Sequence, residues 1–136
     1  MIDGIEHIAI AVRSLEEASP FYRDSLKIEF EGVEEVPQQK VRVAFFRAGH
    51  SRIELLEPMS EDSPISKFLE LRGPGIHHIA LATSDLQARL DELKRDGVRL
   101  IDEVAKPGAE GKDVAFLHPK STGGVLVELC SEGGAS

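Results

Sequence analysis

Two histidines occupy the same place in a segment that occurs twice in the chain. Residues 4–11 read GIEHIAIA, and residues 75–82 read GIHHIALA. Because side chains alternate across a strand, His7 and His78 each share a face with small alanines. The small neighbours leave space beside each imidazole. A repeat of this kind indicates two copies of one structural unit, and the two histidines are predicted to meet across a pseudo-twofold axis.

Two glutamates extend this symmetry. The last predicted strand of the first half contains Ile-Glu-Leu around Glu54, and that of the second half contains Val-Glu-Leu around Glu128. Imidazole nitrogen and carboxylate oxygen together suit Co²⁺, Ni²⁺, Mn²⁺, Fe²⁺ or Zn²⁺. The sequence therefore predicts one metal site formed by His7, Glu54, His78 and Glu128. On an octahedral ion, such a set leaves two positions for water or a chelating substrate.

Each of these residues also has a purely structural interpretation. A lone histidine in a half-buried strand usually belongs to the packing, and Glu54 could lie on the solvent face of an amphipathic strand. Glu128 stands in an apolar run, where a buried carboxylate needs a partner. His77 must point away from its neighbour His78, so a supporting or surface place is expected, and His50 is expected in a solvated turn. The repeat favours the metal interpretation.

The elements that must position these residues follow the order βαβββ twice. In the first half we predict strands at residues 4–12, 27–36, 40–48 and 52–57. A helix opens at a Ser14 capping box and runs toward Leu26. Pro20 either kinks this helix or marks its true start. A short helix over residues 62–71 is predicted to link the halves.

The second half repeats the pattern after the break at Gly73-Pro74-Gly75. Strands are predicted at residues 76–83, 98–104, 112–118 and 124–130. The helix between the first two contains leucines at helical spacing and stops at Gly97. The predicted fold is α+β, with two tandem βαβββ modules whose curved sheets enclose a metal cleft. One domain spans residues 1–136, with modules at about 2–58 and 75–131 and a linker helix at about 62–72, and residues 132–136 are expected to form a frayed tail.

Composition excludes several classes of function. The chain has 136 residues, 41% of them hydrophobic, and a net charge of −8, which argues against nucleic-acid binding. No apolar run approaches the roughly 20 residues that a membrane helix needs. Cys130 is the single cysteine, so an internal disulfide is excluded and a reducing compartment is favoured. Without an apolar signal segment at the start, the sequence predicts a cytoplasmic protein with no membrane partner.

The paired units and their four ligand residues resemble the vicinal oxygen chelate superfamily. That superfamily includes glyoxalase I, extradiol dioxygenases, fosfomycin-resistance proteins and the methylmalonyl-CoA epimerases. The resemblance covers almost the whole chain and is greatest toward the epimerases. The stretches that carry it are GIHHIA at residues 75–80, FLHPK at 116–120 and GGVLVEL at 123–129.

The resemblance implies an isomerase that epimerises (2R)- and (2S)-methylmalonyl-CoA by proton transfer at C2 through a metal-stabilised enolate. It implies that Glu128 is both a metal ligand and a catalytic acid/base. Co²⁺ is the expected ion, with Mn²⁺, Ni²⁺, Zn²⁺ and Fe²⁺ as alternatives. The loop before the last strand is expected to bind substrate through Lys120, Ser121, Gly123 and Gly124. A CoA thioester partner, a homodimer and a place in propionate metabolism are also implied.

The sequence leaves open the second acid/base, the lysine that meets CoA, and two alternative functions. Some epimerases carry a second catalytic glutamate on the strand at residues 40–48, but the matching residue here is Val43, with Val41 and Phe45 beside it. Either Lys112 or Lys120 could meet the CoA phosphates. Glyoxalase I activity is one alternative function, and the His-Pro-Lys loop argues against it. A non-catalytic small-molecule binding protein of the same fold is a second alternative, and the presence of all four ligand residues argues against it.

Overall fold

The computed structural model describes residues 2–131, so the expected tail at 132–136 lies outside the described residues. The chain divides into two compact units. One contains residues 7–77, and the other combines residues 2–6 with residues 78–131. Within residues 2–131, no helix is both long enough and apolar enough to span a membrane.

The unit of residues 7–77 is built from four strands and two helices. Its elements are β1 (Ile2–Ala11, entering the unit at His7), α1 (Leu15–Pro20), β2 (Glu29–Val36), β3 (Val41–Ala48), β4 (Ser51–Pro58) and α2 (Pro64–Arg72). The strand order is β2-β3-β4-β1, with antiparallel pairs except for the parallel pair of β1 and β4. The predicted strands and the linker helix are therefore present, with ends shifted by a few residues.

Helix α1 begins at the capping box that the sequence predicts. Ser14 is the N-cap, and its hydroxyl accepts a hydrogen bond from the Glu17 amide at 3.2 Å. Pro20 therefore does not start the helix. It ends the α-helical part, and the chain continues as a π-helix over Phe21–Ser25. Proline has no N–H for the i−4 carbonyl and crowds that turn, which accounts for the change of helix type.

The two faces of these strands have different surroundings. One face packs against α1 through Val12, Leu15, Ala44, Phe46 and Leu55. Because side chains alternate, the other face carries the remaining set of residues on each strand. That set includes both candidate ligands of the unit, so the hydrophobic core fixes which way they point.

The second unit contains β5 (Gly75–Thr83, entering at His78), α3 (Leu86–Arg95), β6 (Lys106–Pro107), β7 (Asp113–Leu117) and β8 (Val127–Ser131). Its strand order is β5-β8-β7-β6, and β5 and β8 run parallel. The helix covers one face through Leu86, Leu90, Ala115, Leu117 and Leu129. The α+β class is confirmed, because each unit places a helix against one face of its strands.

The strand predicted at residues 98–104 is wrong. Only Leu100 forms an isolated bridge, to Leu117, and the strand that pairs with β7 is the short β6. The Asp102 carboxylate accepts the Phe116 amide at 2.9 Å, a bond that a backbone carbonyl would otherwise make. The Ile101 and Asp102 amides share one acceptor, the Phe116 carbonyl, at 3.0 and 3.1 Å. A side chain thus replaces the regular ladder that the apolar pattern predicts.

The last strand also starts later than predicted. β8 begins at Val127, whereas the pattern predicts a start at residue 124. Gly123 and Gly124 have φ of 77° and 103°, which is turn geometry that strands do not adopt. The glycines therefore belong to the loop that delivers the chain to β8.

Candidate functional site

His7 and Glu54 meet on the face of the first unit that is turned away from α1. The His7 Nδ1 lies 3.0 Å from the Glu54 Oε2, and each residue is 5% exposed. In the parallel pair of β1 and β4, Glu54 lies opposite Ala9, two residues beyond the histidine. The alanine is too small to separate them, so the two side chains come into contact. Glu54 is consequently not on the solvent face of its strand.

Arg52 is a buried cation beside this pair that sequence reasoning missed. Its Nη2 lies 3.6 Å from the Glu54 Oε2, and its Nη1 lies 3.5 Å from a carboxylate oxygen of Glu31. The guanidinium also lies over the Phe45 ring, 4.4 Å from the ring centroid. Two carboxylates and an aromatic face therefore balance a charge that is costly to bury alone. The sequence does contain a signal for this placement, because residues two apart on a strand share a face and Arg52 precedes Glu54 by two.

His78 and Glu128 repeat the same arrangement in the second unit. The His78 Nε2 lies 2.8 Å from the Glu128 Oε1, and both side chains are 6% exposed. Glu128 lies opposite Ala80, again the alanine two residues beyond the histidine. The repeat that was visible in the sequence thus extends to strand register and to the contact itself.

Two further side chains hold this second pair in place. The Cys130 thiol donates to the Glu128 Oε2 at 3.0 Å, so each carboxylate oxygen has a different neighbour. The Phe116 ring stands edge-on to the His78 imidazole, with centroids 5.2 Å apart and planes at 87°. Both roles were missed. That of Phe116 depends on which strands lie side by side, whereas Cys130 follows Glu128 by two residues on one strand, so alternation was the available signal.

The chemistry of each pair fits a divalent ion of the intermediate class. Such ions take imidazole nitrogen and carboxylate oxygen together. Two ligand atoms at right angles, each about 2.1 Å from an ion, lie about 3 Å apart. The separations of 3.0 and 2.8 Å match that spacing, and both pairs are buried from competing water. The same distances fit a direct hydrogen bond, so the pairs are formed whether or not an ion is present.

The loop before β8 is a short, internally bonded turn. A 3-10 helix covers Pro119–Ser121, and the His118 Nδ1 accepts the Lys120 amide at 3.1 Å. The amides of Ser121 and Gly124 bond to carbonyls within the loop at 2.9 and 2.8 Å. The Ser121 hydroxyl bonds to the backbone of Arg99. These amides are therefore engaged, and the charged group that the loop presents to solvent is the exposed Lys120 side chain.

The two candidate lysines have different surroundings. The Lys112 Nζ lies 2.7 Å from the Glu6 Oε2 in an ion pair whose side chains are 20% and 14% exposed. Its charge is already balanced within the unit. Lys120 is exposed, which makes it the better of the two candidates for a phosphate.

The remaining expected positions agree with the sequence. Val43 is buried at 2% exposure on the Glu54 face of β3, and a valine there has no group that transfers protons. His50 is exposed in the turn between β3 and β4. His77 is half-buried, with its ring 5.1 Å from the Phe68 ring centroid. It packs against α2, away from the His78 face.

Comparison with known proteins gives a consistent set of relatives. Residues 6–116 match the Glyoxalase/Bleomycin resistance protein/Dioxygenase superfamily. The chain is 45% identical over 132 residues to the ethylmalonyl-CoA/methylmalonyl-CoA epimerase of Cereibacter sphaeroides, covering 95% of this chain and 98% of that protein. It is 44% identical over 126 residues to the mitochondrial methylmalonyl-CoA epimerase of Mus musculus, covering 92% and 71%.

A solved structure gives the same result in three dimensions. A methylmalonyl-CoA epimerase in complex with methylmalonyl-CoA and NH4+ matches with a TM-score of 0.93 and 36% sequence identity, covering 98% of this chain and 96% of that chain. The resemblance and the fold family that the sequence predicts are confirmed by these matches.

Proposed function

The chain belongs to the Glyoxalase/Bleomycin resistance protein/Dioxygenase superfamily, and from that premise we propose that it is an isomerase that interconverts (2R)- and (2S)-methylmalonyl-CoA. The observation that carries the proposal is the buried contact between His78 and Glu128, repeated by His7 and Glu54. It occurs in a chain that aligns along nearly its whole length with an epimerase of this substrate class.

The proposed substrate sets the chemical task. Its C2 lies between a thioester and a carboxylate, and loss of the C2 proton sends the electron pair into the thioester carbonyl to give an enolate. Return of a proton to the opposite face inverts the centre. The enzyme must therefore remove a weakly acidic proton, stabilise the negative charge, and supply a proton from the other side.

Glu128 is the proposed base and acid on one face. A carboxylate held on β8 by two neighbours has a fixed orientation, because His78 contacts one oxygen and the Cys130 thiol contacts the other. Positioning of this kind is what makes proton transfer by a side chain effective. The oxygen beside Cys130 is the one we assign to the proton, since the other faces the imidazole.

The negative charge requires a positive counterpart. We propose that His7, Glu54, His78 and Glu128 together ligate one divalent ion, with Co²⁺ first and Mn²⁺, Ni²⁺, Zn²⁺ and Fe²⁺ as alternatives. The proposal rests on the donor chemistry of each pair and on the matched places of the pairs in the repeat. When bound, the ion would act as a Lewis acid toward the charge that develops on the substrate oxygens.

The exposed loop is the proposed contact for the CoA part of the substrate. The proposed substrate-binding residues remain Lys120, Ser121, Gly123 and Gly124. Because the amides of Lys120, Ser121 and Gly124 already have acceptors, the Lys120 ammonium is the group we assign to a phosphate. The Ser121 hydroxyl fixes the loop to Arg99 and would act by holding the lysine in place. A homodimer, a cytoplasmic location and a place in propionate metabolism also stay predictions of the resemblance.

A labelling experiment tests the function. The protein is incubated with methylmalonyl-CoA of one configuration in deuterated water, and the product is analysed by chiral separation and mass spectrometry. The expected product is the other epimer with deuterium at C2. Chelation should stop the reaction and added Co²⁺ should restore it. Efficient isomerisation of the glutathione hemithioacetal of methylglyoxal, with methylmalonyl-CoA untouched, would replace this assignment by glyoxalase I.

A further inference from the structure

Inversion at C2 needs a second proton-transferring group besides Glu128, and the Glu54 face of β3 carries Val43, which transfers no protons. The neighbours of Val43 on the same face of β3, Val41 and Phe45, are also buried and apolar. The strands that pair with β3 can supply a carboxylate to this face. β4 offers Leu56 opposite Val43, which leaves β2 on the other side.

On β2, the residue directly opposite Val43 is Glu34. Residues opposite one another in an antiparallel pair project to the same face of the sheet. Val43 shares its face with Phe45, which lies opposite Glu54 on β4. The strand register therefore places Glu34 and Glu54 on the same face of the sheet, with β3 between their strands.

Burial along β2 agrees with this placement. Val33 and Glu35 are exposed, whereas Gly32 and Glu34 are half-buried and Val36 is buried. The alternation shows that Glu34 belongs to the Glu54 face of this edge strand, here called the inner face. Val33 and Glu35 belong to the α1 face, which meets solvent at this strand and is here called the outer face. A glutamate on that face has a different environment from its charged neighbours.

The other carboxylates near this part of β2 have different surroundings. Glu31 lies 3.3 Å from the Arg47 Nε and 3.5 Å from the Arg52 Nη1. Glu35 points to the outer face, where its side chain is 63% exposed and its carboxylate lies 3.9 Å from the Arg42 Nε. Glu34 is therefore the acidic residue of β2 that lies directly opposite Val43 and on the same face of the sheet.

The side-chain lengths allow Glu34 to supply the acidic group that position 43 lacks. Opposite residues in an antiparallel pair have Cβ atoms about 5 Å apart, and a glutamate carboxylate oxygen, three bonds beyond its Cβ, reaches most of that distance. Valine is short, so the Glu34 side chain can extend over Val43 toward the space that a longer residue at position 43 would fill. The acidic group is then supplied by the next strand.

We propose that Glu34 is the second acid/base of the reaction, acting on the face of C2 opposite to Glu128. In one direction the Glu34 carboxylate takes the C2 proton, the electron pair moves into the thioester carbonyl, and protonated Glu128 returns a proton to the other face. In the reverse direction the roles exchange. After one turnover Glu34 is protonated and Glu128 is deprotonated, which is the state that the reverse direction needs. Proton exchange with water restores the starting state of both groups. This assignment rests on the proposed function.

The test follows hydrogen exchange at C2 separately for each epimer. In deuterated water the wild-type protein should exchange the C2 proton of both epimers. Glu34→Gln keeps the shape of the side chain but not its basicity, so epimerisation should fall at least about 100-fold. One epimer should still exchange without inversion, through Glu128, while exchange of the other is lost. Glu35→Gln, one residue along on the outer face, is the matched control and should behave like wild type.

A second variant provides a rescue. Glu34→Gln combined with Val43→Glu returns a carboxylate to the same face from the opposite residue, and should recover exchange of the lost epimer. Equal loss of exchange for both epimers in Glu34→Gln, or activity equal to that of Glu35→Gln, would overturn the role of Glu34. If wild type exchanges neither epimer, the proposed function itself is wrong, and the two failures are thereby distinguished.

Discussion

Glu128 contacts His78 through one carboxylate oxygen, at 2.8 Å, and accepts the Cys130 thiol through the other, at 3.0 Å. The two oxygens of one buried carboxylate thus have separate neighbours. In the role proposed for Glu128, this division would let one oxygen ligate an ion while the other moves a proton. The first unit has a different arrangement, since the second neighbour of Glu54 is the Arg52 guanidinium.

Replacement of His78 should remove the metal. In His78→Ala the ligand set loses one nitrogen, and affinity for Co²⁺ should fall at least about tenfold, since even loss of a supporting contact has an effect of that size. Isothermal titration of metal-free protein measures this directly, with one ion per chain expected for wild type. His77→Ala is the matched control, because His77 packs against Phe68 and its loss should leave the stoichiometry unchanged. Full metal binding by His78→Ala would contradict the site.

Replacement of Glu128 should separate ligation from chemistry. Glu128→Gln retains an oxygen donor and the side-chain volume, but the amide is not a base. Turnover of methylmalonyl-CoA should fall at least about 100-fold, which is the usual contribution of a positioned acid/base. Metal content, measured on the same sample by elemental analysis, should stay near one ion per chain. Normal turnover at normal metal content would show that another group moves this proton.

Val43 is expected to be inert in the chemistry. Val43→Ala removes two methyl groups from a buried position and should lower the free energy of unfolding by about 1 to 2 kcal/mol. Turnover should remain within about tenfold of wild type, because an alkyl side chain transfers no protons. The two effects are measured by urea denaturation and by steady-state kinetics. Complete loss of activity in a folded, metal-loaded variant would show that position 43 matters in a way that packing does not explain.

The repeat in the sequence identifies histidine and glutamate residues that the structure brings into contact within each unit, and a metal site formed by all four stays a prediction. Strand alternation places His7 and His78 beside alanines, and the repeat selects their glutamate partners, whereas the face turned away from the helices is seen only in the structure. The failure at residues 98–104 has a local cause, because the Asp102 carboxylate takes an amide that a strand would bond through its backbone. No periodicity reveals such a bond. Alternation with Glu54 places Arg52 on the same face, but its contacts with Glu31 and Phe45 depend on cross-strand neighbours that the sequence does not reveal.

Arg52 should contribute to stability through its charge. Arg52→Met keeps an apolar stem over Phe45 but leaves the buried Glu54 and the partly buried Glu31 without this cation. Removal of one partner from a buried ion pair typically costs about 3 kcal/mol, and urea denaturation of metal-free protein should show a loss of that order. Arg47→Met is the control, because Arg47 is 38% exposed and its pair with Glu31 should contribute less than about 1 kcal/mol. Equal effects would show that the Arg52 contacts are not electrostatic in origin.

The two candidate lysines should give opposite phenotypes. Lys120 is exposed on an internally hydrogen-bonded loop. Lys120→Gln should raise the KM for methylmalonyl-CoA several-fold, with little change in kcat or stability, because a remote phosphate contact affects binding more than chemistry. Lys112 is paired with Glu6 at 2.7 Å, so Lys112→Gln should lower stability and leave KM close to wild type. Steady-state kinetics and urea denaturation of both variants separate the two roles. A raised KM in Lys112→Gln alone would move the CoA phosphate to the other lysine and require the Glu6 contact to open when substrate binds.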